Sequence, residues 1–185
     1  MDKKRLEILM RILFLFFIGF FIAEADQSFL VNTHIRMLPK IMALDTHLAS
    51  KAASSKIIFA IVYDSNKKAN AQSIADEMNR VHNGKISTIS FTAVALSVEE
   101  LMVRKETAFV YLIQQCNSQS VKKVAAWGIA NTVPTFSYDV NDLEFGILGS
   151  ISVERSTIVY INKNTLKEGK FRFNDTLFQI ARLVE

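Results

Sequence analysis

The run Lys56-Ile57-Ile58-Phe59-Ala60-Ile61-Val62-Tyr63 constrains the fold more than any other stretch of this chain. It is continuously apolar and rich in β-branched residues, with no alternation between apolar and polar positions. A strand of that kind has no face to offer to water, so it suits the middle of a sheet covered on both sides. It ends in Asp64-Ser65-Asn66, three residues that favour turns and helix caps.

Amphipathic and strand-like segments then alternate. Ala69, Ser73, Ile74, Met78 and Val81 recur at helical spacing as an inward stripe, and Asn83-Gly84 supplies a stop signal. Residues 86–94 read as a second strand. Ser97-Val98-Glu99-Glu100 is an acid-rich helix start in which Ser97 and Glu100 have capping-box spacing. Residues 107–113 form a third, buried strand. Residues 118–127 read as a helix with Val121, Val124, Ala125 and Trp127 inward and Gly128 as its stop. Residues 132–138 make a fourth strand, whose Pro134 marks a strand start or a sheet edge.

The flanks read differently. Phe29, Leu30, Ile35, Met37, Leu38, Ile41, Met42 and Leu44 have helical periodicity, and Pro39 within them predicts a kink or a break. Residues 45–55 are short and polar, a connection. Residues 145–153 and 157–162 flank Glu154-Arg155-Ser156 as an antiparallel hairpin. A last helix over 175–184 carries Leu177, Phe178, Ile180, Ala181 and Val184 on its apolar face. The expectation is one α/β domain over 26–185, with a mainly parallel sheet, flanking helices and a C-terminal antiparallel hairpin.

Ahead of that domain stands a different kind of segment. Lys3, Lys4, Arg5 and Arg11 are followed by an uncharged run over 12–22, closed by Ala23-Glu24-Ala25 in the A-x-A pattern of a secretory cleavage site. At about 1.5 Å per residue the run covers about 16 Å, roughly half the hydrocarbon thickness of a bilayer. Residues 1–25 are therefore expected to be a signal peptide cut between Ala25 and Asp26, releasing an exported, periplasmic protein. The alternative is an uncleaved anchor. No later segment reaches the roughly 18 uncharged apolar residues of a membrane span.

Charge excludes one class of partner. Of 22 Lys/Arg and 18 Asp/Glu, the leader holds four and three, so the rest keeps a net charge of +3. The basic residues form no long run and no stripe interleaved with aromatics, so nucleic acid is not expected as a partner. Cys116 is the single cysteine and cannot form a disulfide within the chain. A half-buried side chain, a reactive thiol and pairing between two chains in a homodimer all stay open.

In open parallel sheets, ligands bind at the carboxyl ends of the strands near the switch point. Asp64, Ser65 and Asn66, then Gln114, Gln115 and Cys116, then Ser137, Tyr138 and Asp139 fall at such ends and are the candidate ligand- or partner-facing residues. The bland alternative is that they cap helices and turns. Asp64-Ser65-Asn66 has no glycine, so it is neither a P-loop nor a dinucleotide fingerprint. His34, His47 and His82 are too scattered for a metal site and read as surface or boundary residues. Asp139, Asp142 and Glu144 read as a solvated acidic loop, without a reason for a raised pKa. There is no Gly-x-Ser-x-Gly, and Asp64 stands alone where a phospho-acceptor receiver would need an acidic pair. No catalytic residues, metal or cofactor are expected.

Two segments carry a resemblance. Residues 37–48 contain Met42-Ala43-Leu44-Asp45-Thr46-His47-Leu48, near a Leu-x-x-Asp-x-x-Leu helix ending, and lead into a strand that ends in Tyr63-Asp64. Near the C-terminus, Ile161-Asn162-Lys163-Asn164-Thr165-Leu166-Lys167-Glu168-Gly169 is followed by Phe171-Arg172-Phe173-Asn174-Asp175-Thr176-Leu177-Phe178-Gln179-Ile180-Ala181. This resembles the closing pattern of the YfiR-like family of small periplasmic proteins: a strand ending in Ile-Asn, a short helix, and a final helix of Leu-x-x-x-Ala type. The resemblance spans 28–185 and implies a non-enzymatic regulator that docks onto the periplasmic part of a membrane sensor such as a diguanylate cyclase. The single cysteine departs from the disulfide-forming pairs of that family's best-known member. The rival expectation is a small-ligand receptor related to one lobe of a periplasmic solute-binding protein.

Overall fold

The fold is taken from a computed structural model that describes residues 28–52, 57–86 and 88–185. The expected leader over 1–25, its cleavage site at Ala25 and Asp26, Lys56 of the first strand and Ser87 of the second lie outside the described residues. The contacts divide the chain after Thr33. In the first unit, the described residues begin a helix (α1, 28–42) in which the Thr33 hydroxyl donates to the Phe29 carbonyl at 3.0 Å. His34 to Glu185 form the second unit, described from here on.

Every residue of β1 (Ile57–Tyr63) is buried, as its composition requires. It pairs in parallel with β3 (Ile89–Ser97) on one side and β4 (Thr107–Leu112) on the other. The sheet continues in parallel through β5 (Thr135–Ser137) to β6 (Gly149–Val153). It then turns antiparallel to β7 (Thr157–Asn162) and ends on β8 (Ala181–Val184), parallel to β7. A short β2 (Lys85–Ile86) lies antiparallel on β3 at the far edge, so the order is β2-β3-β1-β4-β5-β6-β7-β8. The mainly parallel α/β sheet and its antiparallel β6-β7 hairpin match the expectation.

Because successive strand residues point to opposite faces, β1 divides its side chains between two cores. On one face Ala60 and Val62 join Leu96, Val110 and Leu112 against Leu101 of α4 (Val98–Val103) and Val121, Val124 and Ala125 of α5 (Ser118–Asn131). On the other, Phe91, Phe59, Phe109 and Phe136 form a row across β3, β1, β4 and β5. Their ring centroids are 6.3, 4.9 and 5.2 Å apart. Separations of this size give each ring pair a contact beyond simple area burial. The capping box of α4 forms as expected: Glu100 N donates to Ser97 Oγ at 3.2 Å, and Ser97 N to Glu100 Oε2 at 2.6 Å.

Several expectations are corrected. Pro39 does not break α1, which runs through it to residue 42. A proline cannot supply the N–H that would bond the Ile35 carbonyl, and the His82 ring supplies it instead, Nε2 donating at 2.9 Å. The connection over 45–55 contains a helix, α2 (Leu48–Ala52), after the buried Asp45, whose carboxylate takes Lys51 Nζ at 3.0 Å. In α3 (Lys68–His82) the buried stripe is Ala71, Ile74, Ala75 and Met78, as expected for Ile74 and Met78; Val81 is half-buried, and Ala69 and Ser73 are exposed. The second strand is a hairpin, β2 turning into β3.

Gly128 lies inside α5, which continues to Asn131 and is capped by Thr132 in the left-handed region. A Cβ at Gly128 would meet the Thr135 methyl at 2.4 Å and the Val133 carbonyl at 2.9 Å, so the glycine lets α5 lie close on β5. That strand is interior, between β4 and β6, with Pro134 just before its start; Phe136 is fully buried and offers no edge. The last helix is shorter than its apolar pattern suggests. In α7 (Asp175–Ile180) the chain leaves helical geometry at Ala181, and residues 181–184 pair on the open edge of β7. Ladder bonds on a sheet edge outweigh the weak helix preference of four residues.

Candidate functional site

Chain order reverses across β1. After β1 the chain moves to β3 on one side, then crosses back to β4 on the other, so the carboxyl ends of β1 and β4 flank the switch point. The loops Asp64–Lys67 and Gln114–Asn117 leave the sheet there. Each places its second residue in the left-handed region, Ser65 at φ 57° and Gln115 at φ 61°. Non-glycine residues rarely hold that geometry without being held there.

Hydrogen bonds tie the two loops together. Asp64 Oδ2 accepts from the Asn117 backbone N–H at 3.2 Å and from Asn117 Nδ2, while Asp64 Oδ1 accepts from the Ser65 hydroxyl at 3.0 Å. The Asn117 amide oxygen accepts from Ser120 N at 2.9 Å and so caps α5. From the other direction, Lys67 Nζ donates to the carbonyls of Gln115 at 2.6 Å and Gln114 at 3.4 Å. Burial alone would raise the Asp64 pKa, but the donors on Asn117, Ser65 and Ser120 outweigh it and hold the carboxyl below its ordinary range.

The third loop follows β5 beside β4. Tyr138 N donates to the Leu112 carbonyl at 2.9 Å. The buried Ser137 hydroxyl donates to Asp142 Oδ2 and accepts from Asp139 N at 3.2 Å. Asp139 in turn caps a 3-10 helix over Val140–Phe145, its Oδ1 accepting from Asn141 N at 2.9 Å. The acidic loop is not uniformly solvated: Asp142 is half-buried, and burial, opposed by Ser137 and aided by the Asp139 charge, raises its pKa. Glu144 is exposed.

Cys116 sits between these groups. Its thiol donates to the Ile113 carbonyl at 3.3 Å. Burial, then the Asp64 charge, pushes its pKa up to about 11 against the opposing pull of Lys67. Such a thiol is protonated at neutral pH and a poor nucleophile.

The structure thus brings Asp64, Ser65, Gln114, Gln115 and Cys116 together on two hydrogen-bonded loops, with Ser137, Tyr138 and Asp139 on the neighbouring strand end. Asn66 is exposed in the first turn and its side chain makes no hydrogen bond among the described residues. The bland alternative is correct for part of the first and third sets, since Asp64, Ser137 and Asp139 all bond loop or cap groups. Gln114 is the exception. Its side-chain oxygen is shielded from solvent and has no hydrogen-bond partner among the described residues.

Sequence reasoning missed two members of this region. Lys67 gave no signal beyond being a basic residue in a turn. His34, expected near the surface, is fully buried beneath β4. Its Nε2 donates to the Ile151 carbonyl at 2.8 Å, which leaves Nδ1 to accept from the Tyr111 hydroxyl at 2.8 Å. Its ring centroid is 5.7 Å from that of Tyr138. Burial drives its pKa down to about 4, so the ring is neutral at ordinary pH. Among the described residues no group of His, Cys, Asp and Glu could hold a metal ion, and no helix is long and apolar enough to cross a membrane.

No protein-family model matches the chain, and no curated protein matches it. Solved structures do match in fold. A conserved domain protein from Vibrio cholerae O1 biovar El Tor aligns at TM-score 0.54 and 10% identity, over 75% of this chain and 58% of that one. An ABC domain in complex with L-Trp from Streptococcus pneumoniae aligns at 0.52 and 10%, over 78% and 62%. The ligand-free, open form of CD0873, a substrate-binding protein with adhesive properties from Clostridium difficile, aligns at 0.53 and 14%, over 75% and 57%. The chain spans less than two thirds of each. At these identities the likeness is one of fold: this α/β sheet is an architecture that a substrate-binding protein also uses.

Proposed function

We propose that this domain is a non-enzymatic receptor for a small solute, acting outside the cytoplasmic membrane, with the β1/β4 crevice as its ligand face. The observation that carries the reading is the unpartnered side-chain oxygen of Gln114 at the switch point. Shielded acceptors are nearly always bonded, so this one is matched to a ligand that brings an N–H or O–H. The left-handed Ser65 and Gln115, tied by Asp64, Asn117 and Lys67, give the face a fixed shape. The likeness in fold to a substrate-binding protein supports the same reading.

A thermal-shift screen of amino acids, sugars and phosphate tests this. A true ligand at 100 times its dissociation constant adds about 2.7 kcal/mol. The shift is expected to be lost in Gln114→Ala and reduced in Asp64→Ala. No shift with any compound, or a shift that Gln114→Ala retains, overturns the proposal.

A second reading, docking onto the periplasmic part of a membrane sensor as the YfiR-like resemblance implies, is favoured by the sheet edge. The strand β8 ends the sheet, and Leu183 on it and Ile180 at the end of α7 just before it are 40% and 53% exposed. A photo-crosslinker at position 183 in cells would capture an inner-membrane protein; labelling only of this chain itself would count against it.

A further inference from the structure

A separate cavity opens at the other end of the sheet, where the strands begin. It measures about 290 Å³, at the small end of ligand sites, and is lined by Lys51, Ile57, Lys105, Glu106, Thr107, Ala108, Trp127, Asn131 and Val133. Thr107 is 4% exposed, and its hydroxyl has no hydrogen-bond partner among the described residues. The strand is irregular at that point: Ile58 pairs with Thr107 but Phe59 with Phe109, so Ala108 is an extra residue. Bulges are rare between parallel strands and re-aim side chains where they occur.

The charges around this hydroxyl are of two kinds. The Lys51 ammonium is already bonded to Asp45 and to the Thr132 carbonyl. Lys105 and Glu106, adjacent and exposed, make no side-chain hydrogen bond or ion pair among the described residues. Among the described residues the cavity therefore presents one free cation and one free anion beside an orphaned hydroxyl, with Trp127, Ile57 and Val133 as apolar wall. A carboxylate suits Lys105 and an ammonium suits Glu106; the hydroxyl can serve either.

We propose that this cavity is a second ligand site, for an amino acid with an apolar side chain, which rests against Trp127 while its charged ends meet Lys105, Glu106 and the Thr107 hydroxyl. The inference does not depend on the receptor reading of the β1/β4 crevice.

Trp127 is the only tryptophan of the chain, so tryptophan emission comes from one residue, which lines this cavity. Titration of the full chain with L-leucine or L-phenylalanine, excited at the tryptophan edge, is expected to give a saturable change. Isoamylamine and 4-methylpentanoate, each lacking one charge, should bind at least ten-fold more weakly. Thr107→Val keeps the shape and removes the hydroxyl; Lys105→Met removes the cation without touching the core. Both should weaken leucine at least ten-fold, while Ser65→Ala and Asn66→Ala, which leave the cap of α5 in place, keep the Trp127 response unchanged. A linear, unsaturable response overturns the proposal. So does equal binding of the single-charge analogues, unchanged affinity in Thr107→Val and Lys105→Met, or loss of the response in the crevice variants.

Discussion

His82 completes the backbone hydrogen bonding that Pro39 interrupts: its Nε2 donates to the Ile35 carbonyl, the acceptor a non-proline residue at position 39 would have bonded. One side chain at the end of α3 thus stands in for a missing peptide N–H in α1. Removing it as His82→Ala takes the donor from a part-buried carbonyl, which costs about 1 kcal/mol. Pro39→Ala restores an N–H at the right place, so the double variant should be more stable than His82→Ala alone. Urea unfolding of the four chains measures the coupling; purely additive costs would mean that the two residues do not share the Ile35 acceptor.

His34 makes stability depend on pH. Its ring is neutral in the folded domain, with a pKa lowered from 6.5 to about 4, while the unfolded chain takes up a proton near 6.5. The unfolded state therefore binds more protons between those values, and stability rises with pH across that window. The contribution is complete above about 6.5, falls as pH drops, and is gone below about 4; from the shift it amounts to about 3 kcal/mol. Denaturant midpoints from pH 7 to pH 4 should fall in the wild type and fall much less in His34→Gln. Parallel slopes would remove His34 as the cause.

Gly128→Ala should destabilise although alanine is the better helix former by about 1 kcal/mol. The added methyl would overlap the Thr135 methyl and the Val133 carbonyl, and overpacking of this kind costs about 1–3 kcal/mol. Thr135→Ser removes that methyl yet keeps the hydroxyl that accepts from Leu148 N at 3.2 Å. Stability should be partly recovered in the double variant; recovery of nothing would place the cost at the Val133 carbonyl instead.

Cys116 should react slowly. With its thiol at about 11, about one molecule in a thousand is thiolate at pH 8, compared with about one in ten for an unshifted thiol of 9.0. Labelling by a disulfide reagent in native buffer is expected to be about 100-fold slower than in urea. Asp64→Asn removes a charge that raises the pKa and should speed the reaction. Equal rates in native and unfolded protein would contradict the burial.

How much of this was legible in the residues differs by position. The strands β1 and β4 were, because both are apolar throughout and only a doubly covered strand tolerates that. The Ser97–Glu100 cap was, because the two partners sit in one short motif. Gly128 reads as a stop signal locally, yet its role is set by Thr135 across the helix–strand contact. The residues 181–184 carry a helical pattern, and an open edge on β7 decides otherwise. That the loop residues follow the carboxyl ends of β1, β4 and β5 was legible too, because each apolar strand gives way to polar turn residues there. The roles of Lys67 and His34 depend on partners 47 to 117 positions away and leave no local trace. Thr107 and Trp127 gave no chemical signal at all, since an orphaned hydroxyl exists only once its neighbours are in place.

The strand order also bears on assembly. From β4 to β8, position in space follows position in sequence, whereas β1 must be enclosed by two later strands. The trio β3-β1-β4 is then the natural nucleus, and each following strand docks on an edge already made, with no threading. Substitutions at Phe59 should slow refolding, while those at Val159 should chiefly hasten unfolding, a contrast that chevron kinetics can read directly.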